Sequence, residues 1–126
     1  METKKNIVKE KSFAFAIRVV KLRKYLQEKQ EYDISRQLLR SGTAIGALIR
    51  EAEYAESVAD FIHKLSIAQK EANESKYWID ILVNTDYIEQ NAYISIKEDI
   101  DELLKLLTSS IRTAKANGEW RKKASN

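Results

Sequence analysis

Apolar residues recur along this chain at steps of three and four, the spacing that lines one face of an α-helix. Phe15, Val19, Leu22 and Leu26 mark the first run, and the polar stretch "QEKQEYD" interrupts it. Leu38, Gly42, Ile45, Ile49 and Ala52 mark the second. Ser57 followed by Asp60 reads as a capping box, with aspartate in place of the usual glutamate. It opens a third run through Phe61, Leu65, Ala68, Ala72, Ser75, Ile79 and Leu82. After "NTDYIEQN" a fourth run carries Ile100, Leu104, Leu107, Ile111 and Ala114, and Gly118 is placed to cap its C-terminus. There is no strand-like alternation of useful length and no tandem repeat. The pattern predicts an all-α fold: one domain over residues 1–126, an antiparallel up-down four-helix bundle with helices of about 20–27 residues.

Two glycines need a reason. Inside a helix each costs roughly 0.5–1 kcal/mol against alanine, yet Gly42 and Gly46 stand four apart in the second run. The link at residues 55–57 is very short, so the second and third helices are expected to be antiparallel neighbours. Pivoting there sets Gly46 opposite Ala68 and Gly42 opposite Ala72. Small residues facing small residues would let two backbones approach below the usual spacing of about 8–10 Å. The same register places Arg40 near Glu71 and Glu74, as a structural ion pair. Arg36, Arg40 and Arg50 fall on one arc of the second helix, either a solvated face or a basic stripe. A membrane Gly-x-x-x-Gly motif is opposed by Arg40, Arg50 and Glu51 close by. A phosphate-cradling loop lacks its preceding strand and its Gly-Lys-Ser/Thr.

Composition narrows the class. The 126 residues include no proline, where about six would be average, which favours long unbroken helices. There is no cysteine, so disulfides and thiolate metal sites are excluded. No stretch reads as a signal peptide or a membrane span, and the cytoplasm is the expected location. The net charge of +3 is unevenly spread. Residues 1–30 hold nine Lys/Arg against three Glu, residues 31–110 hold eight basic against fifteen acidic, and residues 111–126 hold five basic against one acidic. In an up-down bundle both basic ends of the chain meet at one end of the molecule. Lys4, Lys5, Lys9, Lys11, Lys115, Arg121, Lys122 and Lys123 would form a basic rim suited to phosphate backbones. Solubilising tails are the plainer reading of the same residues.

Catalytic chemistry finds little support. His63 is the single histidine, three residues after Asp60. A di-iron bundle needs a Glu-x-x-His on each of two helices and further carboxylates, so neither a metal nor another cofactor is expected. There is no thiol nucleophile, and no serine has a partner set that sequence can argue for. Trp78 is expected at a seam of the bundle with its N–H on a polar partner.

The stretches "SRQLLRSGTAIGALIREAEYAES", "DFIHKLSIAQKEANESKYWIDIL" and "TDYI" resemble the four-helix-bundle proteins encoded in intervening sequences of bacterial 23S rRNA genes. Gln37 to Thr43, Ile45 to Ala47 and Arg50 to Ala52 carry the likeness. Ala44 stands where a serine is common, and Leu48 where an asparagine is common. Similar proteins serve as accessory variability determinants in diversity-generating retroelements. The resemblance implies a non-enzymatic bundle, a ring-like homopentamer with a basic surface, and partners that include DNA or RNA and, if one is encoded nearby, a reverse transcriptase. The apolar Ile45–Leu48–Ile49 run would suit the subunit contact. The competing reading is a protein-interaction scaffold that does not touch nucleic acid.

Overall fold

A computed structural model describes the backbone of residues 4–124 and the side chains of residues 7–118. Four helices follow one another: α1 (Lys4–Glu28), α2 (Asp33–Ala52), α3 (Val58–Asn84) and α4 (Gln90–Ala124). Each packs on its neighbour in sequence, and α1 also meets α4, so the four close into an antiparallel up-down bundle. The α1–α4 seam is the sparsest of the four. The 35 residues of α4 give it a length of about 52 Å at 1.5 Å per residue. It is longer than expected because Gly118 does not stop it. That glycine has no positive φ, and the helix runs on through it.

Most of the core lies at positions that the periodicity picked out. Phe15, Val19, Leu26, Leu38, Ile45, Ala68, Ala72, Ile79, Leu82, Ile100 and Leu107 are all essentially sealed from solvent. Leu103 replaces Leu104 as the deep residue of α4, and Leu104 is only half-buried. The face Ile96, Ile100, Leu103, Leu107 and Ile111 keeps the same three-and-four step through Leu103.

The turns are built without glycine. Gln30 (φ 63°) follows α1 and Asp86 (φ 65°) follows α3, both in the left-handed region. At each, a Schellman pair of hydrogen bonds closes the helix end. Glu31 N–H donates to the Leu26 carbonyl (2.9 Å) and Gln30 N–H to that of Gln27 (3.0 Å). Tyr87 N–H donates to Leu82 (2.9 Å) and Asp86 N–H to Val83 (3.2 Å). The start of α2 is capped by the buried carboxylate of Glu31. Its two oxygens accept from Ile34 N–H (3.0 Å) and Ser35 N–H (2.6 Å), satisfying donors that a helix start leaves open. Half of the expected capping box of α3 is present: Ser57 Oγ accepts from Asp60 N–H at 3.0 Å, while the Asp60 carboxylate accepts from Glu56 N–H (3.2 Å) rather than from Ser57 N–H.

The glycines correct one expectation. A Cβ on Gly42 would lie 2.9 Å from Val19 Cγ2, and one on Gly46 would lie 3.4 Å from Ser12 Oγ. Both glycines therefore turn toward α1, not toward Ala68 and Ala72 of α3. Those two alanines are fully buried in the core. The close small-residue contact between α2 and α3 is instead Ser41 with Ser75, whose buried hydroxyls lie 2.8 Å apart. The antiparallel register was read nearly correctly, but rotation about the α2 axis was not, and residues four apart on a helix share a face with two possible neighbours.

Candidate nucleic-acid interface

The end of the bundle where the two basic chain ends meet is assembled from three elements. Lys9 of α1 reaches the α2–α3 turn, with its Nζ 3.1 Å from one Glu53 carboxylate oxygen and 3.3 Å from the other. Val58, the first residue of α3, lies against α4, 3.6 Å from where a Cβ on Gly118 would stand. The up-down path thus brings the start of α1, the α2–α3 turn and the last turns of α4 together.

The cations there differ in how free they are. Lys9 is bound to Glu53, and Lys11 is bound to Glu102 of α4 at 3.0 Å. Neither offers an uncompensated charge. Lys115 is exposed and has no ion pair among the described residues. The side chains of Lys4, Lys5, Arg121, Lys122 and Lys123 lie outside the described residues. Sequence reasoning missed two further cations. Lys105 and Arg112, seven residues apart on α4, are exposed and unpaired among the described residues, with Thr108 and Ser109 between them. A step of seven returns a helix to nearly the same face, so a basic stripe on α4 leads from mid-bundle toward the basic end. That signal was available in the sequence as a seven-residue spacing.

The arginines of α2 do not form a free stripe. Arg36 pairs with Asp33 (3.2 Å), and the Arg50 guanidinium lies 5.3 Å from the Phe13 ring centre. Arg40 binds Glu71 (3.2 Å) and also Glu74, the structural pair that the register implied. Its charge is held on by the Glu74 hydrogen bond first, which raises its pKa. Burial pushes the Glu71 carboxyl up, and Arg40 opposes that shift. On the α3–α4 seam, the Lys76 hydrogen bond and then that of Lys97 hold Asp101 below the usual carboxylate range. Tyr93 donates to Asp80 at 2.8 Å, and that bond raises the phenol.

The remaining chemistry is sparse. His63 is exposed, and no cluster of His, Asp and Glu among the described residues could hold a metal ion. Trp78 is half-buried at a seam, edge-on to Tyr77 with ring centres 5.1 Å apart. Its indole N–H has no hydrogen-bond partner among the described residues, so the expected polar contact is not found there. Among the described residues no helix is long and apolar enough to cross a membrane. The Ile45–Leu48–Ile49 run does not form an outward apolar face. Ile45 and Ile49 are core residues and Leu48 is half-buried. The outward apolar stripe is on α1: Phe13 (53% exposed), Ile17 (41%) and Val20 (38%), again at steps of four and three.

The fold defines an all-α, up-down four-helix-bundle protein. The chain belongs to the 23S rRNA-intervening sequence protein family, whose model matches residues 4–109. It is similar to a crystal structure from Bacteroides thetaiotaomicron VPI-5482, described as a protein with unknown function from the S23 ribosomal protein family. The two are 55% identical, the match covers 87% of this chain and 99% of that one, and the TM-score is 0.86. No curated protein matches the chain.

Proposed function

We propose that the protein is a non-enzymatic, self-associating bundle that binds the phosphate backbone of DNA or RNA. The observation that carries this reading is the α4 stripe of Lys105, Arg112 and Lys115, exposed and without counter-ions among the described residues. It runs into the segment that holds Arg121, Lys122 and Lys123. Cations already bound to carboxylates release few counterions on meeting a polyanion. Free ones release theirs, and that release drives binding. Lys9 and Lys11 therefore contribute less than expected, and α4 contributes more.

Self-association is part of the same proposal. The Phe13–Ile17–Val20 stripe supplies an apolar contact that the bundle itself does not use. A heterologous contact that closes into a ring, a pentamer in the reading of the family likeness, repeats the α4 stripe around one rim. Where a reverse transcriptase is encoded nearby, it is the first protein partner to test.

The deciding measurement is the salt dependence of binding to a duplex of random sequence. The parent should bind with a log–log slope near −0.9 per phosphate neutralised. Lys105→Glu with Arg112→Glu, and separately Lys122→Glu with Lys123→Glu, should weaken binding and flatten that slope. Unchanged affinity and slope in both variants would remove the α4 surface. Absence of binding by the parent at low salt would favour the scaffold reading, in which the α1 stripe docks a protein.

A further inference from the structure

Toward the end of the bundle where the two chain ends meet, the described side chains of the four helices do not close on one another. A cavity of about 250 Å³ opens between them. Its floor is Val8 of α1, Ile49 and Ala52 of α2, and Leu65 of α3. Each of these four keeps 3% of its surface exposed, whereas Ile45, Ala68 and Leu107 deeper in the core keep none. Phe61 of α3 adds an aromatic side to the cavity, and the wall supplied by α4 is different in kind. Ser110, Thr113 and Asn117 line it together with Ala114.

The polar side chains of that wall are unused. Ser12, Ser35, Ser41 and Ser75 each return their hydroxyl to a backbone carbonyl of their own helix or the turn before it. Ser110 does not, although a helical serine always has such a carbonyl within reach. Thr113 and Asn117 likewise have no side-chain hydrogen bond among the described residues. The cavity thus presents an apolar floor and one wall of free donors and acceptors. No charged side chain lines it among the described residues.

We propose that this cavity is a binding site for a small, neutral, amphipathic molecule. Its apolar body is the size of one aromatic ring or a short alkyl chain, and its single hydrogen-bonding head meets Ser110, Thr113 and Asn117. The size follows from comparison: an apolar cavity of about 150 Å³ holds benzene, so this one holds a ring with a short arm. The apolar floor offers water no hydrogen-bond partner, so replacing that water by an apolar body is favourable. The neutral head follows from the lining, which offers hydroxyls and an amide but no charged partner among the described residues. The site is separate from the α4 stripe and does not depend on nucleic-acid binding.

Benzyl alcohol and toluene are suitable probes, followed by saturation-transfer NMR and by the melting temperature of the full chain. Benzyl alcohol should bind saturably and raise the melting temperature. Toluene should bind about fivefold more weakly, the worth of one hydrogen bond of ordinary strength. Ala114→Phe, at a half-buried wall position, should fill the cavity and abolish binding of both. Thr113→Phe, at the exposed rim, repeats the test if the first variant disturbs the bundle. Ser110→Ala with Thr113→Val should remove the preference for the alcohol. Failure of the parent to saturate with benzyl alcohol, or equal binding by a folded Ala114→Phe or Thr113→Phe protein, would overturn the proposal.

Discussion

Val19 fills the space that a side chain on Gly42 would need: its Cγ2 would stand 2.9 Å from the missing Cβ. The glycine is therefore a condition of the α1–α2 contact. Valine in a helix has one strongly preferred χ1 and yields poorly. Gly42→Ala should lower stability by about 1–3 kcal/mol through overpacking, less the roughly 0.5–1 kcal/mol gained in helix propensity. Gly46→Ala meets Ser12 at ordinary contact distance, 3.4 Å. It should be neutral or stabilise by up to about 1 kcal/mol. Urea denaturation of the two variants reads the difference, and equal effects would contradict the geometry. Val19→Ala should relieve part of the cost when added to Gly42→Ala.

Gln30 and Asp86 hold left-handed backbone at the ends of α1 and α3. A residue with a Cβ loses about 1 kcal/mol there that glycine does not. Gln30→Gly should therefore raise the melting temperature despite its larger unfolded-state entropy, and Asp86→Gly should follow with a smaller gain, since aspartate tolerates this region better. A fall in both would mean that their side chains contribute more than the backbone loses.

Asp101 ties the stability of the α3–α4 seam to pH. Lys76 and Lys97 depress its carboxyl below the value it has in the unfolded chain. Such a group stabilises the fold above its unfolded pKa, and that contribution disappears as pH falls through the lower, folded value. Asp101→Asn should destabilise at neutral pH, and its melting temperature should converge on that of the parent as pH falls below the depressed folded value, where both are uncharged. Parallel curves down to acid would remove Asp101 from the pH dependence. Glu71, raised by burial, has the opposite sign and favours the protonated form in the fold.

The α1 stripe separates assembly from folding. Ile17 is 41% exposed, so Ile17→Glu adds a charge on the outside of the bundle and should cost the monomer little. Sedimentation should show the parent as an oligomer and Ile17→Glu as a monomer, with helical content unchanged. A parent that sediments as a monomer at micromolar concentration would end the ring reading.

The sequence by itself determined the four helices, most of the core and the neighbour relation of α2 with α3. These depend on periodicity and short links, which are local properties, and on binary pattern, which burial enforces. The Arg40 pair with Glu71 and Glu74 was legible for the same reason, as an antiparallel register counted from one short turn. Only the tertiary structure decided how each helix is rotated toward its two neighbours. That rotation turned Gly42 and Gly46 to α1, tied Lys9 and Lys11 to carboxylates, and left Lys105 and Arg112 without an ion pair among the described residues. It also placed Ser110, Thr113 and Asn117 around a cavity. A helix face is wide enough to serve either neighbour, and the choice between them is made by packing volume summed over all four helices. No single stretch of chain contains that sum.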